Sequence, residues 1–192
     1  MAGIIVLSIL LLTVFYFVSI YNKLVSLRNM FTNAFSQIDV QLLRRYDLIP
    51  NLVETAKGYM SHERETLEAV VNARNQASEI ANGLKGQAQE GQVKQLAEAE
   101  RAVNQSLLKL YAVAESYPDL KASQTMSNLM EELSSTENKV SFARQAYNDA
   151  VMQYNTYREQ FPNSLVAGSF RAAELFLLDD PAAKAAVKVS FS

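Results

Sequence analysis

From Leu24 onward, apolar residues recur at alternating steps of three and four: Leu24, Leu27, Phe31, Phe35, Ile38 and Leu42, then Ile49, Leu52, Ala56 and Tyr59, and later Leu67, Val70, Ala73, Ala77 and Ile80. A period of about 3.5 residues draws one apolar stripe along a helix and packs it against other helices at shallow angles. Pro50 cannot donate the backbone hydrogen bond of an interior helical residue. The pattern therefore predicts a kink or break over residues 45–49, with Asp47 capping the segment that follows. The stripe keeps its phase across Pro50, so both segments face one core.

Asn82-Gly83 reads as a helix stop, and Gly83, Gly86 and Gly91 bracket a polar hairpin loop. A second stripe runs through Val93, Leu96, Val103, Leu107, Leu110, Ala114 and Tyr117. Ser116-Tyr117-Pro118 then predicts a tight turn between antiparallel helices, because proline suits a first helical turn and not an interior. The last long helix carries Met126, Leu129, Leu133, Val140, Tyr147, Val151, Tyr154 and Phe161 and stops at Pro162-Asn163. The predicted fold is all-α: an elongated antiparallel up-and-down bundle of three long helices, or four if the first breaks at Pro50. Beyond it, Phe170, Ala173, Leu177 and Leu178 share one face of a short amphipathic helix over 170–178. Asp179-Asp180-Pro181 stops that helix, and residues 187–191 alternate as an extended tail would. Such a tail docks on its own bundle or meets lipid or another chain.

Ahead of the first stripe, residues 1–20 carry no charged side chain. As a helix they measure about 30 Å, the thickness of a bilayer's hydrocarbon core. A cleaved signal peptide would start with basic residues and end in a small-x-small site, whereas here Tyr16, Phe17 and Tyr21 occupy the end of the apolar run. The chain thus divides into a single-pass transmembrane anchor (1–20) that continues into the bundle (21–162), and a tail (163–192). Lys23 and Arg28, with Arg44 and Arg45 further on, put the basic bias after the span, which orients the bundle to the cytoplasm.

Composition narrows the chemistry. The formal charge is −2 with no basic block, which argues against nucleic acid as a partner. There is no cysteine, so disulfides, thiol nucleophiles and thiolate metal sites are excluded. His62-Glu63 begins like a zinc-protease helix, but position 66 is Thr and the chain has no second histidine, which also excludes paired Glu-x-x-His di-iron ligands. No glycine-rich turn follows a strand to cradle phosphate. The expectation is no cofactor, no bound metal and no enzymatic activity.

Polar residues in or beside the core phase are more informative. Arg45, Glu63, Glu100, Glu137 and Arg144 fall at or beside positions where the heptad asks for apolar side chains, and His62 adjoins Glu63. Buried charges persist only when paired, so these residues are expected to meet across the bundle, fixing helix register or lining a ligand groove. Glu63, Glu137 and Arg144 in particular are expected to be partly buried and paired. Tyr147-Asn148 and Tyr154-Asn155 lie one heptad apart, so their rings share one face and their amides another. Asparagine amides so placed can satisfy backbone or charged groups on a neighbouring helix, while the tyrosine hydroxyls reach out from buried rings.

Taken together, Tyr21-Asn22-Lys23-Leu24-Val25, Phe35-Ser36-Gln37-Ile38-Asp39-Val40-Gln41-Leu42, Arg45-Tyr46-Asp47-Leu48-Ile49-Pro50-Asn51-Leu52-Val53 and His62-Glu63 strongly resemble the LemA family. Glu115-Ser116-Tyr117-Pro118-Asp119-Leu120, Glu137, Arg144, Tyr147-Asn148, Tyr154-Asn155 and Phe161-Pro162 continue the match in order. The resemblance implies a bacterial inner-membrane protein with one N-terminal span and a long helical bundle, and it brings no catalytic residue. It also implies membrane proteases or other membrane proteins as neighbours. Two functions fit. One is a non-enzymatic scaffold or adaptor that self-associates in the membrane, with Phe170, Leu177 and Leu178 as a candidate contact. The other is a small-ligand sensor built on the polar layer Arg45, His62, Glu63, Glu100, Glu137, Arg144, Asn148 and Asn155.

Overall fold

A computed structural model describes residues 1–84 and 91–178. Its helices are α1 (Ala2–Lys57), α2 (Arg64–Leu84), α3 (Gln92–Ala114), α4 (Pro118–Ala122) and α5 (Gln124–Glu159), and there is no strand among the described residues. The fold is the expected helical bundle. The predicted stripes are the core: Leu24, Leu27, Phe31, Phe35, Ile38, Leu42, Ile49 and Leu52 on α1 are buried, as are Val93, Leu96, Val103 and Leu110 on α3 and Leu133, Val140, Tyr147 and Tyr154 on α5.

The spine of the bundle is α1. Its 56 residues make a rod about 84 Å long. The first third is apolar and exposed, and the core begins at Phe17, half-buried, and Ile20, buried. Antiparallel to it runs α5, since Phe31 packs on Tyr154 (ring centroids 5.0 Å apart), Phe35 on Tyr147 (5.4 Å), and Arg45 reaches Glu137. On its other side α2 folds back against α1, and α3 pairs with α2.

The expected break at Pro50 does not occur, and Asp47 lies inside α1 instead of capping a new helix. Proline at position 50 deprives the Tyr46 carbonyl of its helical donor. Arg74 on α2 supplies another: its Nε donates to the Tyr46 carbonyl at 2.9 Å, and its guanidinium lies 6.0 Å from the Tyr46 ring. A tertiary hydrogen bond thus replaces the missing local one and the helix continues. Among the described residues there are still four long helices, because the first stripe breaks later, at 58–63, where Met60 is buried and Tyr59 turns outward. Arg74→Ala is expected to cost about 1.5–3 kcal/mol, the range for a hydrogen bond to a charged donor. In a Pro50→Ala background the new amide serves the carbonyl, and the same change is expected to cost about half as much or less. Denaturant unfolding of the four variants measures that coupling; strictly additive costs would disprove it.

Three other boundaries differ. Helix α2 passes through Asn82-Gly83 to Leu84, while Gly91, with φ 79°, opens α3 in the left-handed region that suits glycine. Gly86 lies outside the described residues. Pro118 sits in the first turn of a helix as expected, but that helix is the short α4 and not a long one; Ser123 then caps α5, accepting from the Met126 N–H at 3.4 Å. Residues 170–178 form no helix. After two 3-10 turns, Asn163–Leu165 and Ala167–Ser169, they run extended along α5, because their backbone groups bond to side chains of that helix. The Asp179-Asp180-Pro181 stop and the alternation over 187–191 lie outside the described residues.

Candidate functional site

Two polar constellations stand on the α1–α5 framework. The first is centred on Arg45, which the helical phase carries into the bundle where α1, α3 and α5 meet. Its Nη1 lies 2.8 Å from Glu100 Oε2 and 3.1 Å from Glu137 Oε2, and its Nη2 donates to Asn104 Oδ1. The Tyr46 hydroxyl donates to the other oxygen of Glu100. Arg45, Tyr46 and Glu100 are buried, whereas the Glu137 side chain is 41% exposed. Burial pushes the Glu100 carboxyl above its ordinary range, against the opposing pull of Arg45 and of the Tyr46 hydroxyl. The Tyr46 phenol is also pushed up, first by burial and then by Glu100. One guanidinium therefore joins three helices, with each of its charged neighbours hydrogen-bonded or partly solvated. Beside it a groove of about 470 Å3 opens between α3 and α5, lined by Arg45, Asn104, Tyr111, Leu133 and Glu137 among others.

The second constellation is a clamp. The Tyr147 hydroxyl donates to the Glu174 carbonyl (2.7 Å) and the Tyr154 hydroxyl to the Arg171 carbonyl (2.8 Å). Asn148 donates to the Phe176 carbonyl (3.1 Å) and accepts from the Phe176 N–H (2.8 Å); Asn155 does the same with Ala173 (2.9 and 3.0 Å). The spacing explains the fit. Seven helical residues rise about 10.5 Å, and three extended residues span about 10 Å. Two heptad-related pairs on α5 therefore meet residues 171 and 174, and 173 and 176, of one extended strap. Phe170 and Phe176 anchor its ends in the core, Phe170 against Tyr21 (ring centroids 5.2 Å apart) and beneath Arg28 (5.7 Å).

The predicted polar layer is thus divided. Arg45, Glu100 and Glu137 come together; Asn148 and Asn155 belong to the clamp. His62 is exposed in the turn after α1. Glu63 is half-buried there and accepts from the Tyr117 hydroxyl at 3.1 Å, so its partner is neutral. Arg144 is half-buried and forms no salt bridge among the described residues. In the tail, Phe170 is buried on its own chain, Leu178 is half-buried and Leu177 faces outward. Sequence reasoning missed Tyr46, Asn104, Arg74 and Phe176. The first was within reach, since it sits beside Arg45 in the same stripe.

A sequence model of the LemA family matches residues 34–191. Among known proteins, the chain is similar to magnetosome proteins MamQ 1 and MamQ 2 of Paramagnetospirillum magneticum (strain ATCC 700264 / AMB-1). It is 26% identical to each over 174 residues, covering 81% of this chain and 64% of the relative. The chain therefore spans just under two thirds of the length of these relatives.

Proposed function

Because this chain belongs to the LemA family, we propose that it is a non-enzymatic scaffold or adaptor, anchored by its N-terminal helix in a bacterial inner membrane. The observation that carries this reading is the continuity of α1. One helix, Ala2–Lys57, supplies both a segment apolar enough to cross a bilayer and the spine against which α2 and α5 pack. The bundle is thus held rigidly to its anchor, and its side faces stand at fixed heights above the lipid. Val40, Leu108 and Phe142 present exposed apolar side chains on α1, α3 and α5. Confinement to a surface raises the effective concentration of such faces, favouring self-association and contact with other membrane proteins. Lys23 and Arg28 after the span favour a cytoplasmic bundle.

The buried Arg45 guanidinium is already engaged by Glu100, Glu137 and Asn104, which favours a structural role over a catalytic one. A small-ligand sensor is the second reading, supported by the groove beside Arg45 and Glu137; a ligand there would raise thermal stability by mass action.

The chain has no cysteine, so Ser135→Cys on the exposed face of α5 gives a single thiol that reports orientation. In intact cells it is expected to stay unlabelled by an impermeant thiol reagent and to label after lysis. In native lipid particles the full-length protein is expected to weigh at least a dimer. Labelling of intact cells would reverse the orientation, and monomers at every concentration would remove the self-assembled form.

A further inference from the structure

We propose that the turn after α5 is a second membrane contact, a foot that rests in the bilayer interface beside the transmembrane helix. The proposal rests on the reading of α1 as a membrane span. Because α5 runs antiparallel to α1, its C-terminal end returns to the level where the apolar run ends. Gln160 shares a groove with Lys23 and Leu27, and Tyr21 packs on Phe170. Phe17 and Ile20, within the apolar run itself, are packed into the base of the bundle. The base therefore reaches at least one turn down the segment that lies in lipid.

At that level two large apolar side chains point away from the protein: Phe161 is 82% exposed and Leu165 67%. They are not core residues on a loose end. The turn that carries them is fully built: Ser164 N–H donates to the Gln160 carbonyl (2.9 Å), Leu165 N–H to Pro162 (3.0 Å) and Val166 N–H to Asn163 (2.9 Å). The buried Asn163 amide donates to the Tyr157 carbonyl at 2.9 Å. An ordered turn holding Phe and Leu outward beside a span, with Tyr21 and Lys23 at the same height, has the composition of a membrane interface: aromatic rings at headgroup level, apolar side chains just below, a basic residue just above. The occupant is fixed by continuity, since the lipid around the anchor is already adjacent.

The chain contains no tryptophan, which makes single-tryptophan variants of the full-length protein direct depth probes. Three are compared in phosphatidylcholine–phosphatidylglycerol vesicles brominated either near the headgroup end or near the middle of the acyl chain. Leu11→Trp reports the span, Phe161→Trp the foot, and Phe142→Trp an exposed site (72%) about 25 Å further up α5. Helix content by circular dichroism checks folding, and all three positions are exposed, so the substitutions leave the core intact. The foot probe, Phe161→Trp, is expected to lose most of its emission with bromine near the headgroup. The span probe, Leu11→Trp, is expected to lose most of its emission with bromine at mid-chain, and the upper probe, Phe142→Trp, with neither. If the span probe is quenched and the foot probe is not, the foot is refuted while the anchor stands. This includes the case in which the foot probe is shielded from aqueous acrylamide, which would assign the turn to a protein partner. If the span probe is not quenched, the anchor fails and the foot with it. Equal quenching of the foot and upper probes would lay the bundle flat on the membrane and also refute the foot.

Discussion

Arg45→Ala is expected to destabilise the bundle by about 3–5 kcal/mol, the range for removing one partner of a buried ion pair. The guanidinium is buried, and its loss strands Glu100, also buried, with only the Tyr46 hydroxyl for company. The cost lies in the charge left behind, so it depends on pH. Burial already raises the Glu100 carboxyl, and without Arg45 the largest opposing influence is gone. A carboxyl raised in the folded state adds stability below its unfolded value, near 4.5, and loses that contribution as pH rises towards the folded value. Arg45→Ala should therefore be most damaging at neutral pH and recover as the pH falls into the carboxylate range. Arg45→Met with Glu100→Gln removes both buried charges, keeps an acceptor for Tyr46, and is expected to regain at least about half of the loss. Denaturant midpoints followed by circular dichroism at two pH values check both statements. A loss of a few tenths of a kcal/mol, independent of pH, would show that the layer is a solvated surface.

The stripes were legible because the whole side of a helix is repeated many times over, and single exceptions such as Tyr59 and Phe161 do not change its phase. Both exceptions fall where a helix has just ended, and periodicity counts residues without marking that point. Arg45 and Glu100 were legible as buried charges, since each lies within a stripe. Glu63 and Arg144 lie beside theirs, where a small rotation decides between core and solvent, and Glu63 also stands outside α2 altogether. Pro50 misleads for a different reason. Its local rule is sound, but the donor that rescues the Tyr46 carbonyl comes from Arg74 on another helix, and nothing near Pro50 announces it. The tail reads as a helix because Phe170, Ala173, Leu177 and Leu178 share a helical face. Helix and extended strand compete for the same short apolar run, and here the side chains of α5 decide between them.

That decision gives the second large effect. Phe176 is 1% exposed, and Phe176→Ala is expected to cost about 3–5 kcal/mol, as for other buried phenylalanines truncated to alanine. The asparagines act differently. Each exchanges two hydrogen bonds with one strap residue, an arrangement possible only when that residue is extended, with its N–H and C=O both turned to the same neighbour. Asn148→Ala with Asn155→Ala removes four bonds. It is expected to cost about 2–4 kcal/mol at roughly 0.5–1 kcal/mol for each bond, because the strap lies near the surface and water can replace part of what is lost. The two kinds of change should also separate in hydrogen exchange. In the double asparagine variant the Ala173 and Phe176 amides, which donate to these side chains, should lose protection while the amides of α1 and α3 keep theirs, since local opening of the strap does not require the bundle to open. Phe176→Ala should lower protection throughout, because it removes core and not merely a clasp. If the double asparagine variant exchanges at 173 and 176 as slowly as the parent, the strap is held by its phenylalanines alone, and the heptad spacing of the two Tyr-Asn pairs has some other cause.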